Sequence, residues 1–168
     1  MRSLTWNTSH AVFVEEIDDE HKEIFGAISD LEKAQAAGQP AGIRKTLERL
    51  ILSIDGHFAH EERLMRAARY QSLGWHKKLH DTARRRLKQQ AARIQQRETE
   101  AIGKLIAYLA SWLPDHAGVA DRMMGAFLRN QRRTCRMMFQ AGTRPAEACQ
   151  WVDCRGERVD PNVKISGL

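Results

Sequence analysis

Apolar side chains recur along this chain at alternating steps of three and four, the spacing at which residues return to one face of an α-helix. Four segments carry that period. Ile17, His21, Ile24, Ile28 and Leu31 form the first stripe, which Gly38 and Pro40 end; Ile43, Leu47, Leu50, Ile54, His57, Glu61 and Leu64 form the second. Leu73, His76, His80, Ala83, Leu87, Gln90 and Ile94 follow, and then Ile102, Leu105, Leu109, Trp112 and His116. Helices with such stripes face a shared core in antiparallel bundles, and short polar connections near 38–42 and 66–72 suit up-and-down neighbours. The pattern predicts an all-α fold: an up-and-down four-helix bundle over residues 1–128, with a C-terminal extension over 129–168. Thr99 is the expected N-cap of the fourth helix, and Pro114 with Gly118 predicts a bend or restart around His116.

Polar residues occupy places in the buried stripes. His21, His57, His76, His80 and His116 all fall there, joined by Glu61 on the second stripe and Asp121 just beyond the fourth. An unpaired polar group in an apolar core costs on the order of 1–3 kcal/mol, and a bundle core offers few partners for five imidazoles. His57 with Glu61, and His76 with His80, are i, i+4 pairs that present two donors from successive turns of one face. Five imidazoles and two carboxylates exceed the needs of one tetrahedral zinc and are too rich in nitrogen for magnesium or calcium. Two transition-metal ions sharing bridging carboxylates account for the whole set. In "HFAHEERLM", His60 and Glu62 lie off the stripe and are expected to be flanking residues rather than ligands.

Composition narrows the function classes. The formal charge of +6 is concentrated: from Arg129 onward eight Lys or Arg face four Asp or Glu. The run "ARRRLKQQAAR" from Ala83 to Arg93 has no interleaved aromatic residues for base stacking, so it reads as a solvated helix face and not as a nucleic-acid surface. No apolar run approaches the roughly 20 residues of a membrane span, and "MRSLTWNTSH" lacks the apolar middle of a secretory signal, so a cytoplasmic location is expected. Cys135, Cys149 and Cys154 are an odd number confined to the last quarter, and are expected to be free thiols.

The stretches "DDEHKEIF", "HFAHEERLM", "HKKLH" and "WLPDHAGVAD" together resemble the ligand motifs of the hemerythrins, with Glu61 and His76 15 positions apart and His80 and His116 36 apart. The resemblance covers about residues 1–128 and fills all seven ligand positions. It implies that His76, His80 and His116 hold one iron, that His21 and His57 hold the other, and that Glu61 and Asp121 bridge a pair of Fe ions carrying an oxo or hydroxo bridge. The implied activity is reversible dioxygen binding for storage or delivery, without catalysis. A sensor acting through the tail, or peroxide or nitric oxide chemistry at the open iron, are the alternatives. Bundle-type diiron oxygenases use Glu-x-x-His pairs, which these stripes lack.

Three positions depart from the family's habit. Ala117 stands where Ile is usual, Ala83 where Phe is frequent, and Met124 where Tyr is frequent. Two large-to-small changes are expected to loosen the wall around bound oxygen and hasten decay of the oxygenated form, unless Trp75, Met65 or Met124 refills the space. In the tail, "ACQWVDC" and "ERVDPNVKI" could be short strands. Arg132 and Arg136 with "NVKISGL" faintly resemble the opening motifs of a PilZ domain, but Lys164 stands in the place of the motif's serine. Docking of a protein partner is the function considered for residues 129–168.

Overall fold

A computed structural model describes residues 4–98 and 100–142. Its elements are a 3-10 turn at Thr8–His10, α1 (Glu15–Ala36), α2 (Pro40–Ala67), α3 (Leu73–Gln95), α4 (Ala101–His116), a π-helical turn (Ala117–Asp121) and α5 (Arg122–Gln140). Glu15, Glu16 and Asp18 occupy the first turn of α1, where negative charge complements the helix dipole. The Asp18 carboxylate also reaches back to accept from the Val12 and Phe13 amides, at 2.8 and 3.0 Å. Gly38 stops the chain after α1 with φ +61°, a conformation open to glycine at no steric cost, and Pro40 begins α2 at a position whose amide needs no partner.

Four long helices make the bundle, and the fourth is composite. α1 packs against α2 and α4, and α3 against α2 and α4. The chain runs through α4, the π turn and α5 without leaving helical conformation, so the bend or restart expected at Pro114 and Gly118 is instead a widened turn inside a continuous helix. Pro114 has no amide to donate to the ladder, and the π turn follows three residues later. Helix also continues across residue 128 to Gln140. Cys135 is disulfide-bonded, contrary to the free thiol expected of it. Thr99, Cys149, Cys154 and the two strand-like stretches of the tail lie outside the described residues.

The apolar interior is in two parts. One holds Ile24, Phe25, Ile28 and Leu31 of α1 with Leu50, Ile54 and Phe58 of α2, Leu87 of α3, and Leu105 and Leu109 of α4. The other holds Val12, Val14 and Ile17 with Leu64 and Met65, and Met124, Leu128 and Cys135 of α5. On every helix the stripe histidines and carboxylates fall at the junction of these two parts. Apolar packing on both sides therefore supplies the stability, at roughly 1.5–3 kcal/mol for each fully buried large side chain, that offsets a polar cluster in the middle.

The N-terminal arm is fastened by α5. Arg129 donates through Nη1 to the Val12 carbonyl, and Arg122 donates through Nη2 to the carbonyls of Ser9 (2.9 Å) and Ala11 (3.2 Å). Arg132, one of the two arginines of the faint tail resemblance, pairs with Glu16 of α1. At Gly125 a Cβ would stand 2.6 Å from the Val12 carbonyl oxygen, so only glycine lets the arm lie this close to α5. No described helix is long and apolar enough to cross a membrane.

Candidate metal centre

All seven stripe residues singled out from the sequence meet at the junction. His21, His57, Glu61, His76, His80, His116 and Asp121 are buried, none more than 4% exposed. Ligand atoms from Glu61, His76, His80, His116 and Asp121 lie within 4.8 Å of one another, and those from His21, His57, Glu61 and Asp121 do likewise. Both groups contain the two carboxylates. Donors that share one ion at roughly 2.0–2.2 Å are necessarily this close together.

Individual contacts give the same picture. The Glu61 Oε2 lies 3.1 Å from His80 Nε2, 3.5 Å from His76 Nε2 and 3.7 Å from His57 Nε2. Asp121 Oδ1 lies 3.0 Å from both His76 Nε2 and His116 Nε2, and Oδ2 is 3.2 Å from His21 Nε2. Yet both oxygens of Glu61 and of Asp121, both ring nitrogens of His21 and His76, and Nε2 of His57 make no well-formed hydrogen bond. Buried polar atoms are nearly always satisfied. Seven buried polar side chains turned on one another, with most of their inward atoms unsatisfied, are the arrangement that metal ions would satisfy.

The π turn makes Asp121 a member of this set. In an ordinary α-helix positions i and i+5 diverge around the axis; a turn closed over five residues returns Asp121 to the face of His116. Electrostatics follows from the crowding. Burial and Asp121 both oppose the charge on Glu61, but His57, His76 and His80 outweigh them and hold its carboxyl well below the ordinary range. Burial likewise opposes ionisation of Asp121, and His116, His21 and His76 prevail. Burial alone would depress His76, but Asp121 and Glu61 beside it raise it to about 9. His80 is lowered, by burial first and by the neighbouring His76 and His116.

A second layer of side chains orients the imidazoles, and the stripe argument overlooked it. Glu20 accepts from Nδ1 of His57 at 2.9 Å and from Nδ1 of His60 at 2.5 Å. Glu62, expected only to flank the site, accepts from Nδ1 of His80 at 3.1 Å and from Arg84 at 2.8 Å. With Nδ1 occupied, each of these rings turns Nε2 inward. Phe58 stacks on His80 (centroids 4.0 Å apart, planes 7° apart) and Trp112 on His116 (4.3 Å, 17°). Glu20 and Glu62 each adjoin a stripe residue, His21 and Glu61, so the sequence signal was present as acid–ligand neighbours.

Ala83 and Ala117 are both fully buried. Met65 and Met124 are fully buried in the second apolar part, whereas Trp75 is 46% exposed on the outside and so does not refill the interior.

The family model for the hemerythrin HHE cation binding domain matches residues 12–128. A bacteriohemerythrin of Pseudomonas aeruginosa is 34% identical over 116 residues, covering 69% of this chain and 75% of that protein. A myohemerythrin of Theromyzon tessulatum is 39% identical over 75 residues, or 45% of this chain, and the match spans only 58% of that relative's length. A crystal structure of a leucine-to-phenylalanine mutant superposes with a TM-score of 0.71 at 27% identity, covering 76% of this chain and 98% of the other.

Proposed function

This chain belongs to the hemerythrin family, and from that premise we propose that it binds dioxygen reversibly at a non-haem diiron centre, for storage or delivery. In this reading His76, His80 and His116 hold one ion, His21 and His57 hold the other, and Glu61 and Asp121 bridge them. The observation that carries the reading is the pair of ligand groups sharing Glu61 and Asp121, buried throughout and with both carboxylates, His21, His76 and the His57 Nε2 lacking hydrogen bonds. When bound, the iron pair supplies the electrons and the open coordination position that reversible oxygen binding needs. Five residues converge on one position and four on the other, so an ion held by His21 and His57 would have fewer protein ligands than its partner.

The remaining residues favour carriage over turnover. Glu20 and Glu62, the carboxylates next to the ligands, are engaged on imidazole Nδ1 atoms, which leaves neither free to deliver protons to a reacting oxygen. Val12, Ile17, Met65 and Met124 pack beside the cluster and keep water from it. A sensor reading draws on one feature: the helix that begins beside Asp121 runs on to Gln140, so a shift of that carboxylate would be felt along α5.

Metal analysis with an optical spectrum tests the main reading. The expected result is about two irons per chain and a charge-transfer band in air that vanishes on deoxygenation and returns on re-aeration. Absence of iron, or a band that does not reverse, would overturn it. Truncation after Gln140 separates storage from sensing: the sensor reading fails if every cellular phenotype survives.

A further inference from the structure

Three of the five imidazoles in the cluster, His21, His76 and His116, have an Nδ1 that is buried and makes no hydrogen bond. The other two are clamped, one in each ligand group: His80 by Glu62 and His57 by Glu20. The two clamps are braced differently. A single oxygen of Glu62, Oε1, accepts from His80 at 3.1 Å and from Arg84 at 2.8 Å, so a permanent cation draws on the same atom. Glu20 uses both oxygens: Oε2 accepts from Nδ1 of His57 at 2.9 Å, and Oε1 from Nδ1 of His60 at 2.5 Å. The brace on this side is an imidazole.

Packing does not account for a histidine at position 60. Its side chain is 11% exposed, and its Nε2 is buried without a hydrogen bond. Such an atom costs about 1–3 kcal/mol, which an apolar side chain in the same place would avoid. What the ring supplies in return is one N–H to Glu20. A carboxylate that accepts from the outer N–H of a ligating imidazole makes that ring a more basic donor, and a more basic donor favours the more highly charged ion. A second N–H on the same carboxylate takes up part of its charge and so reduces its pull on the His57 proton. We propose that His60 is a positioning residue that acts through Glu20 on His57, moderating that pull and holding an iron at His21 and His57 closer to the ferrous state than Glu20 alone would. The ferrous state is the one with an electron to give to dioxygen. The proposal rests on the diiron reading above and adds that one of the two positions is tuned by a pair of side chains outside the ligand set.

Spectroelectrochemical titration of the iron-loaded full-length protein, with iron content measured alongside, tests this. His60→Leu fills the same place without an N–H. It is expected to keep both irons and to raise the preference for ferric over ferrous iron about three- to tenfold, below the roughly 10–100-fold that follows loss of a ligand's own partner. That is a fall of about 30–60 mV in midpoint potential, at 59 mV for each tenfold change in a one-electron couple. His60→Asn, whose amide nitrogen stands about where Nδ1 does, is expected to return the potential towards that of the unaltered protein. Glu20→Gln, which removes the negative charge from His57, is expected to shift it upwards. Opposite signs from two neighbouring substitutions are not a result that loosened packing gives. If the unaltered protein holds no iron, the diiron reading itself fails. If it holds two and His60→Leu moves the potential by less than about 20 mV, a twofold change, or loses iron, or shifts in the same direction as Glu20→Gln, the role assigned to His60 is overturned while the diiron reading stands.

Discussion

Replacing Glu62 with alanine is expected to weaken metal binding while leaving every proposed ligand in place. Glu62 is 8% exposed and accepts from Nδ1 of His80 at 3.1 Å. Its other partner, Arg84, retains Asp55 and Asp81, each at 3.3 Å, so the substitution orphans His80 and not the guanidinium. Leaving that buried N–H unpaired costs about 1–3 kcal/mol, which is about 5- to 150-fold in an equilibrium. Loss of such a supporting partner typically lowers metal affinity about 10–100-fold. The two routes agree on about 1.4–2.8 kcal/mol. Phe58 still holds the plane of the His80 ring, so the ring can turn about its own axis without being expelled, and the estimate belongs in the lower half. Competition with a graded series of iron chelators measures it. Glu62→Gln, which keeps an acceptor, should recover most of the affinity, and Asp81→Ala should change nothing. A loss in Glu62→Ala below about twofold, or an equal loss in Asp81→Ala, would refute the argument.

Other substitutions follow from the same geometry. Glu61→Ala should lose at least one iron by metal analysis, whereas His60→Ala should keep both, because Glu20 still holds His57. Gly125→Ala gains about 1 kcal/mol of helix propensity but drives a Cβ to 2.6 Å from the Val12 oxygen; chemical denaturation should show net destabilisation of about 1–3 kcal/mol. Ala117→Ile adds volume at a fully buried position and should destabilise by a similar amount, about 1–3 kcal/mol in the same assay. In the metal-free protein His76 titrates near 9, so at pH 7 it carries a proton that a metal must displace. Metal affinity measured by calorimetry should therefore rise as pH rises towards about 9 and lose that dependence above it; a flat profile from pH 7 to 9 would contradict the assignment.

The alternation of three and four, interrupted by histidine and carboxylate in otherwise apolar stripes, determined the all-α class, the helix positions and six of the seven candidate ligands. Period alone shows which side chains face inward, so Glu61 could be separated from Glu62 without coordinates. That separation concerned direction and not role: Glu62 sits beside the stripe and still reaches His80, because side-chain length and the angle of the neighbouring helix decide what an off-stripe residue touches. Asp121 was harder. Five residues from His116, it belongs to the site only because the helix widens into a π turn, and a one-residue change of hydrogen-bond register leaves no apolar period to detect it. The clamp of α5 on the N-terminal arm and the contact of Glu20 with His60 join residues that are as many as 117 positions apart. Such contacts come from packing between helices, and a local pattern carries no record of which helix lies alongside.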